Sequence, residues 1–167
     1  MMRYITKRLE IGAISDADRE AVIDLVTDDL VKQTYMLPDF ESVEKARPLF
    51  DRLMAMSKDE KRYVRAMEEN GEFVGFCNDV ERDGASVEIG YAMCPDIWGR
   101  GYATAALKLA IADLFELGFD QVVAGAFVEN PASLRVMEKA GMAPIEKVDE
   151  IEYRGRTHTC VYRAIRK

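Results

Sequence analysis

Apolar residues recur along this chain with two periods, and the places where the period changes divide it into strands and helices. Residues 4–11 alternate imperfectly between polar and apolar, as a strand with one buried face does. Ser15 and Asp18 have the spacing of a capping box, and Ala21, Val22, Leu25, Val26 and Leu30 follow at helical intervals. A second helix is expected over residues 41–56, kinked or divided at Pro48, because proline lacks a donor and clashes with the carbonyl four residues back. The period then drops to two. Residues 63–68, 73–80 and 86–93 predict an antiparallel meander, turned at Asn70-Gly71 and at Arg82, Asp83 and Gly84, and ended by Pro95.

From position 102 the helical period returns. Ala103, Ala106, Leu107, Ala110, Ile111 and Leu114 mark one face of a helix over 102–117, closed by Gly118. A buried strand over 119–128, rich in Val, Ala and Phe, precedes a helix opened by Asn130 and Pro131 and stopped at Gly141. Two strands, 145–153 and 157–165, close the chain around Arg154, Gly155 and Arg156. The order is α+β. No linker, low-complexity segment or repeat divides residues 1–167, so a single domain is expected.

Composition narrows the chemistry. Asp and Glu outnumber Lys and Arg by 30 to 23, a net charge of -7 that opposes nucleic-acid binding and suits a cationic substrate, although solubility alone also accounts for such an excess. Cys77, Cys94 and Cys160 are odd in number and form no CxxC pair, and His158 is the only histidine. Neither a zinc site nor a Ser-His triad is expected, which leaves a metal-free mechanism. The first residues lack the continuous apolar core of a signal peptide, and no apolar run approaches the roughly 20 residues that cross a bilayer. A cytoplasmic protein without membrane contact is expected.

The strongest local signal is Trp98, Gly99, Arg100, Gly101, Tyr102 and Ala103, between a strand and a helix. Its glycines let backbone N–H groups approach a phosphate at a helix N-terminus, and Arg100 offers a charged contact. A tight strand-to-helix connection is the competing reading. The turn lacks both the GxxxxGK[ST] pattern and the first-strand setting of a dinucleotide fold.

Three further segments accompany the turn: Val87, Glu88, Ile89, Gly90, Tyr91; Asn130, Pro131, Ala132, Ser133; and Glu138, Lys139, Ala140, Gly141, Met142. Together they resemble the GNAT superfamily of acetyl-coenzyme A-dependent N-acetyltransferases. With Glu152, Tyr153, Arg154 and Gly155 added, they are similar in particular to the branch that acetylates ribosomal-protein N-termini (alanine). The resemblance implies a mixed, mainly antiparallel central sheet of about seven strands flanked by about four helices. It also implies that strands 86–94 and 119–128 splay apart to receive pantetheine, as an added strand would be received. Residues 98–103 would hold the pyrophosphate, and backbone N–H groups near Ala92 and Met93 the acyl carbonyl. Acetyl-CoA is thereby the expected cosubstrate, an amine the expected acceptor, and a homodimer is compatible with the family. The chain departs from the family at Trp98, where many members place Gln or Arg. It also carries Met137 where many have a tyrosine that protonates the leaving thiolate.

Aminolysis of a thioester needs a neutral amine, whereas an alkylamine of pKa about 10.4 is protonated near neutrality. Glu88 shares a strand face with Gly90 and Ala92, whose small side chains leave room for it, and burial would raise its basicity. Glu152 competes, because the resembling branch uses a carboxylate there. Ser133 replaces Met137 as candidate proton donor to the sulfur, against the reading of a hydroxyl bonded at its own helix start. Asn130 is either a cofactor partner or a helix cap. Arg135 and Lys139 share a helix face that could meet the nucleotide end of the cofactor, against ordinary solvated charges, and His158 reads as structural. Direct acetyl transfer to a primary amine is the leading expectation, with Glu88, Ser133 and Glu152 as catalytic candidates. The alternative is an acyl-CoA-binding sensor or protein-interaction module.

Overall fold

Residues 9–167 are described by a computed structural model, and among them seven strands form one mixed sheet in the order β1-β2-β3-β4-β5-β7-β6. In chain order the elements are β1 (Leu9–Gly12), α1 (Arg19–Thr27), α2 (Val31–Thr34), α3 (Val43–Ser57), β2 (Val64–Glu69), β3 (Glu72–Asp83) and β4 (Ser86–Met93). These are followed by α4 (Tyr102–Glu116), β5 (Gln121–Phe127), α5 (Pro131–Lys139), β6 (Ala143–Tyr153) and β7 (Arg156–Arg166). The opening strand expected from residue 4 lies outside the described residues up to position 8. Of the strand pairs among the described residues, β4–β5 alone is parallel, and α4 is its crossover. This is the expected α+β architecture, with one more helix than expected.

Alternation along the strands gives the sheet two apolar faces. One packs Tyr63, Met67, Ile89 and Met93 against Leu107 and Leu114 of α4 and Met137 of α5. The other packs Ala66, Phe76 and Ala92 against Val22 and Leu25 of α1 and Phe50 of α3. The buried carboxylate of Asp79 is neutralised by Arg62 and Arg82, each with Nε at 3.1 Å, where a bulge interrupts the β3–β4 register. A buried charge paired on two sides avoids the penalty of an isolated one.

Two helix expectations change. The helix opened at Ser15 begins as a 3₁₀ turn over Asp16–Asp18 and ends at Thr27, short of Leu30. Asp28 is the cause: its Oδ1 accepts from the N–H groups of Leu30 (2.8 Å) and Val31 (3.2 Å), so the acidic side chain stops one helix and starts the next. Pro48 does not divide α3, which runs unbroken over 15 residues. The donor lost at proline is one bond, while the helix buries Ala46, Phe50 and Leu53.

The approach of β3 to β4 depends on Gly75. A Cβ there would lie 2.4 Å from the Ala92 carbonyl oxygen and 2.6 Å from Met93 Sδ, below any contact distance. Gly75→Ala should therefore destabilise the protein by about 1–3 kcal/mol in urea unfolding. Gly12→Ala, where no atom of the described residues other than its chain neighbours lies within 4 Å of the added carbon, should be nearly neutral. Equal effects of the two would contradict this packing.

Candidate active site

The site begins where β4 and β5 stop pairing. Their parallel ladder holds only Ser86↔Gln121, Val87↔Val122 and Glu88↔Val123. Beyond it β4 stays with β3 as far as Met93, β5 stays with β7 as far as Phe127, and the two strands part as the resemblance implied. A cleft of roughly 390 Å³ opens there, with Tyr91 and Met93 on one wall and Asn130 and Ser133 on another. The Cys94 N–H donates to Val74 O in β3 (2.9 Å). The alternation of an antiparallel ladder therefore turns the polar groups of Ala92 toward Phe76 and those of Met93 toward the gap. Indeed the Met93 carbonyl accepts from Trp98 Nε1 at 2.8 Å, which also gives Trp98 a place at the rim.

The 98–103 turn forms one end of the cleft. Gly99 and Gly101 have φ of 76° and 82°, backbone that side chains other than glycine seldom adopt. Helical bonding of α4 starts with Ala105 N–H donating to Gly101 O (3.1 Å). The N–H groups of Ala103 and Thr104 precede that ladder, and both residues line the cleft. Tyr102 is buried, its hydroxyl bonded to Glu69, so it anchors the helix start from the core side. Arg100 lies exposed on the turn. Arg135 and Lys139 of α5, by contrast, line the cleft and add positive charge to its wall. These backbone donors and cations fit a polyphosphate ester.

On the wall formed by α5, Asn130 caps the helix through Oδ1, which accepts from Ser133 N–H at 3.2 Å, and its side chain also borders the cleft. Ser133 Oγ lies 2.8 Å from the hydroxyl of Tyr91, across the cleft on β4. Burial pushes the Tyr91 phenol up to about 12, partly offset by that hydrogen bond, so it stays neutral and able to donate. Tyr91 was not among the residues expected at the site. Its period-two position beside Ile89 and Met93 marks a core side chain, and nothing in the spacing shows that the strand ends at a gap. Met137 is fully buried in the core.

Glu88 occupies the opposite sheet face, at the last rung before the strands part. Its side chain is 14% exposed, and burial raises its pKa from the ordinary carboxylate value. Lys147 at 3.9 Å opposes the rise, and Glu81 and Asp149 add to it. Two residues along, Gly90 leaves space for the Tyr35 ring, which a Cβ would meet at 3.3 Å, and Tyr35 donates to Asn78 Oδ1 at 2.6 Å. Glu152 is placed differently. It is exposed, hydrogen-bonded to Thr157 Oγ1, and by strand register it projects from the face opposite Glu88. His158 stacks on Phe127 at 4.4 Å, with Nδ1 2.5 Å from Glu129, a structural arrangement.

The neighbouring Tyr153 and Arg154 fasten the segment that covers the Glu88 face. The Tyr153 hydroxyl accepts from Leu37 N–H (3.1 Å) and lies in donating range of the Lys32 (2.8 Å) and Leu37 (3.1 Å) carbonyls, while Arg154 pairs with Asp39 at 2.7 Å. These contacts join residues more than 110 positions apart. Tyr153→Phe should keep the ring packing and free the strap, speeding amide hydrogen exchange at Leu37 by about tenfold. Unchanged exchange there would mean that the hydroxyl fastens nothing.

Comparison with known proteins agrees with this geometry. A family model described as "Acetyltransferase (GNAT) domain" matches residues 8–143. The uncharacterized N-acetyltransferase YoaA of Bacillus subtilis is 30% identical over 142 residues, covering 81% of this chain and 80% of its own. Among solved structures, a GNAT-family acetyltransferase from Bacillus anthracis superposes with a TM-score of 0.80 at 27% identity over 95% of each chain. Spermidine N-acetyltransferase from Vibrio cholerae, in complex with CoA and spermine, shares the fold with a TM-score of 0.80 at 19% identity over 95% of each chain. A cleft between parting strands, a glycine turn at a helix N-terminus and the match over most of the chain agree: this protein belongs to the GNAT family and is an acyl-CoA N-acetyltransferase.

Proposed function

We propose that the protein acetylates a primary amine by direct attack on acetyl-CoA, with Glu88 as general base and Ser133 as proton donor to the leaving sulfur. One observation carries the reading: the β4–β5 gap brings the outward N–H of Met93, the glycine turn of α4 and the Ser133 hydroxyl to a single cleft. Acetyl-CoA supplies the activated acyl group. Residues 98–103, with Arg135 and Lys139, bind its phosphates, Met93 N–H holds the acyl carbonyl, and Ala92 and Asn130 border its path. Glu88, raised by burial, takes the ammonium proton, with water relaying it along the Gly90 side of β4. The Tyr91 hydroxyl has both Ser133 Oγ (2.8 Å) and the Ser133 carbonyl (3.4 Å) in reach; with the more acidic phenol as the donor, the serine hydrogen is left for the sulfur. Glu152, bonded to Thr157 on the other sheet face, is the alternative candidate for the base.

The acceptor is a protein N-terminus or a small-molecule amine. The net charge of -7 supports a cationic acceptor. The Glu152-Tyr153-Arg154-Gly155 segment supports the ribosomal-protein branch, and the fold shared with spermidine N-acetyltransferase supports a small amine.

Release of CoA thiol from acetyl-CoA, measured with a panel of amines and N-terminal peptides, tests this reading. The rate should rise with pH through an acidic limb shifted upward from the ordinary carboxylate value, because Glu88 must be ionised to act and burial raises its pKa. Glu88→Gln should remove that limb and lower kcat by about a hundredfold or more. Full activity of Glu88→Gln, with loss in Glu152→Gln, would move the base to Glu152.

A further inference from the structure

Strand β6 carries a bulge between Pro144 and Val148, and Lys147, at its end, projects onto the Glu88 face. Lys147 Nζ lies 3.9 Å from Glu88 Oε1 and 4.4 Å from the centroid of the Tyr162 ring. The ring is buried and lies across Gly125 of β5, where a Cβ would fall 2.6 Å from Tyr162 Cε1. Its hydroxyl donates to Asp149 Oδ2 at 2.7 Å. One ammonium is thus held by a carboxylate and an aromatic face, with a second carboxylate nearby. That is the chemistry that recognises a primary ammonium, and the ammonium found there is the chain's own.

The two partners differ in freedom. The Lys147 side chain is 42% exposed and that of Glu88 14%, so the lysine reaches in from solvent and can swing out while the carboxylate stays. We propose that Lys147 is an internal occupant of the acceptor subsite, its ammonium holding the seat between Glu88 and Tyr162 until a substrate's primary ammonium displaces it. The inference rests on Glu88 being the general base. It makes the subsite selective for primary ammonium acceptors, and it makes Lys147 their competitor.

The groups facing Glu88 are Glu81 directly opposite it on β3, Lys147 and Asp149 on β6, and Cys160 and Tyr162 on β7. Lys147 is the one cation in that set. Removing it leaves only groups that are neutral or negative, which favours an external cation and pushes the Glu88 pKa further up.

Calorimetric titration of n-butylammonium into the CoA-saturated protein tests the competition without requiring turnover. Lys147→Met should bind about three- to tenfold more tightly than the wild type, since both an ion pair and a cation–π contact become available to the ligand. Lys147→Arg should behave as wild type, and adding Glu88→Gln to Lys147→Met should abolish the gain. In turnover, Lys147→Met should lower the KM for amine, leave that for acetyl-CoA unchanged and move the acidic limb to higher pH. Equal, weaker or undetectable amine binding in Lys147→Met relative to the wild type would overturn the proposal. Failure of the wild type to release thiol with any amine counts instead against the acyl-transfer reading, and leaves the binding comparison standing.

Discussion

The site depends on one constraint, the parallel pairing of β4 with β5 and its end after Glu88 and Val123. Parallel strands run the same way, so the helices that follow them, α4 and α5, both start at the same end of the sheet. Two helix N-termini, with their outward N–H groups and dipoles, therefore gather at the mouth of the gap. The gap itself leaves the Met93 N–H facing the cleft, while the Met93 carbonyl is taken by Trp98 Nε1. Had the ladder continued for four more residues, the strands would have satisfied each other and closed the cleft.

The same constraint separates the chemistry onto two faces. Tyr91 and Ser133 meet on the side of α4 and α5, whereas Glu88 and its charged neighbours lie on the side covered by α1–α3 and the strap held by Tyr153. In the proposed reaction the acyl donor would enter from the face of Tyr91 and Ser133 and the amine from that of Glu88, to meet in the opening between the strands. Burial serves both sides: it makes the Glu88 carboxyl more basic and keeps the Tyr91 phenol protonated.

Much of this was legible in the sequence because the signals are local. The hairpin at Asn70-Gly71, the helix face from Ala103 to Leu114 and the Asn130-Pro131 helix start each follow from residues close together in the chain. The break of the first helix at Asp28 was missed because it depends on one side chain accepting two bonds. Pro48 does not divide α3, because the burial of Ala46, Phe50 and Leu53 outweighs one lost bond. The strap from Tyr153 to Leu37 and the seating of Lys147 against Glu88 involve partners 116 and 59 positions apart. No spacing rule reaches so far. Tyr91 read as core because period two reports a face and says nothing of where pairing ends.

Amide hydrogen exchange with and without acetyl-CoA tests the central claim most directly. The account predicts that the cofactor slows exchange at Tyr91 and Met93, on the open edge of β4, and at Ala103 and Thr104, at the start of α4. Amides of Ala92 and Cys94, already turned toward β3, should change little. Protection confined to other segments, such as the outer strand β6, or no protection at all, would contradict it.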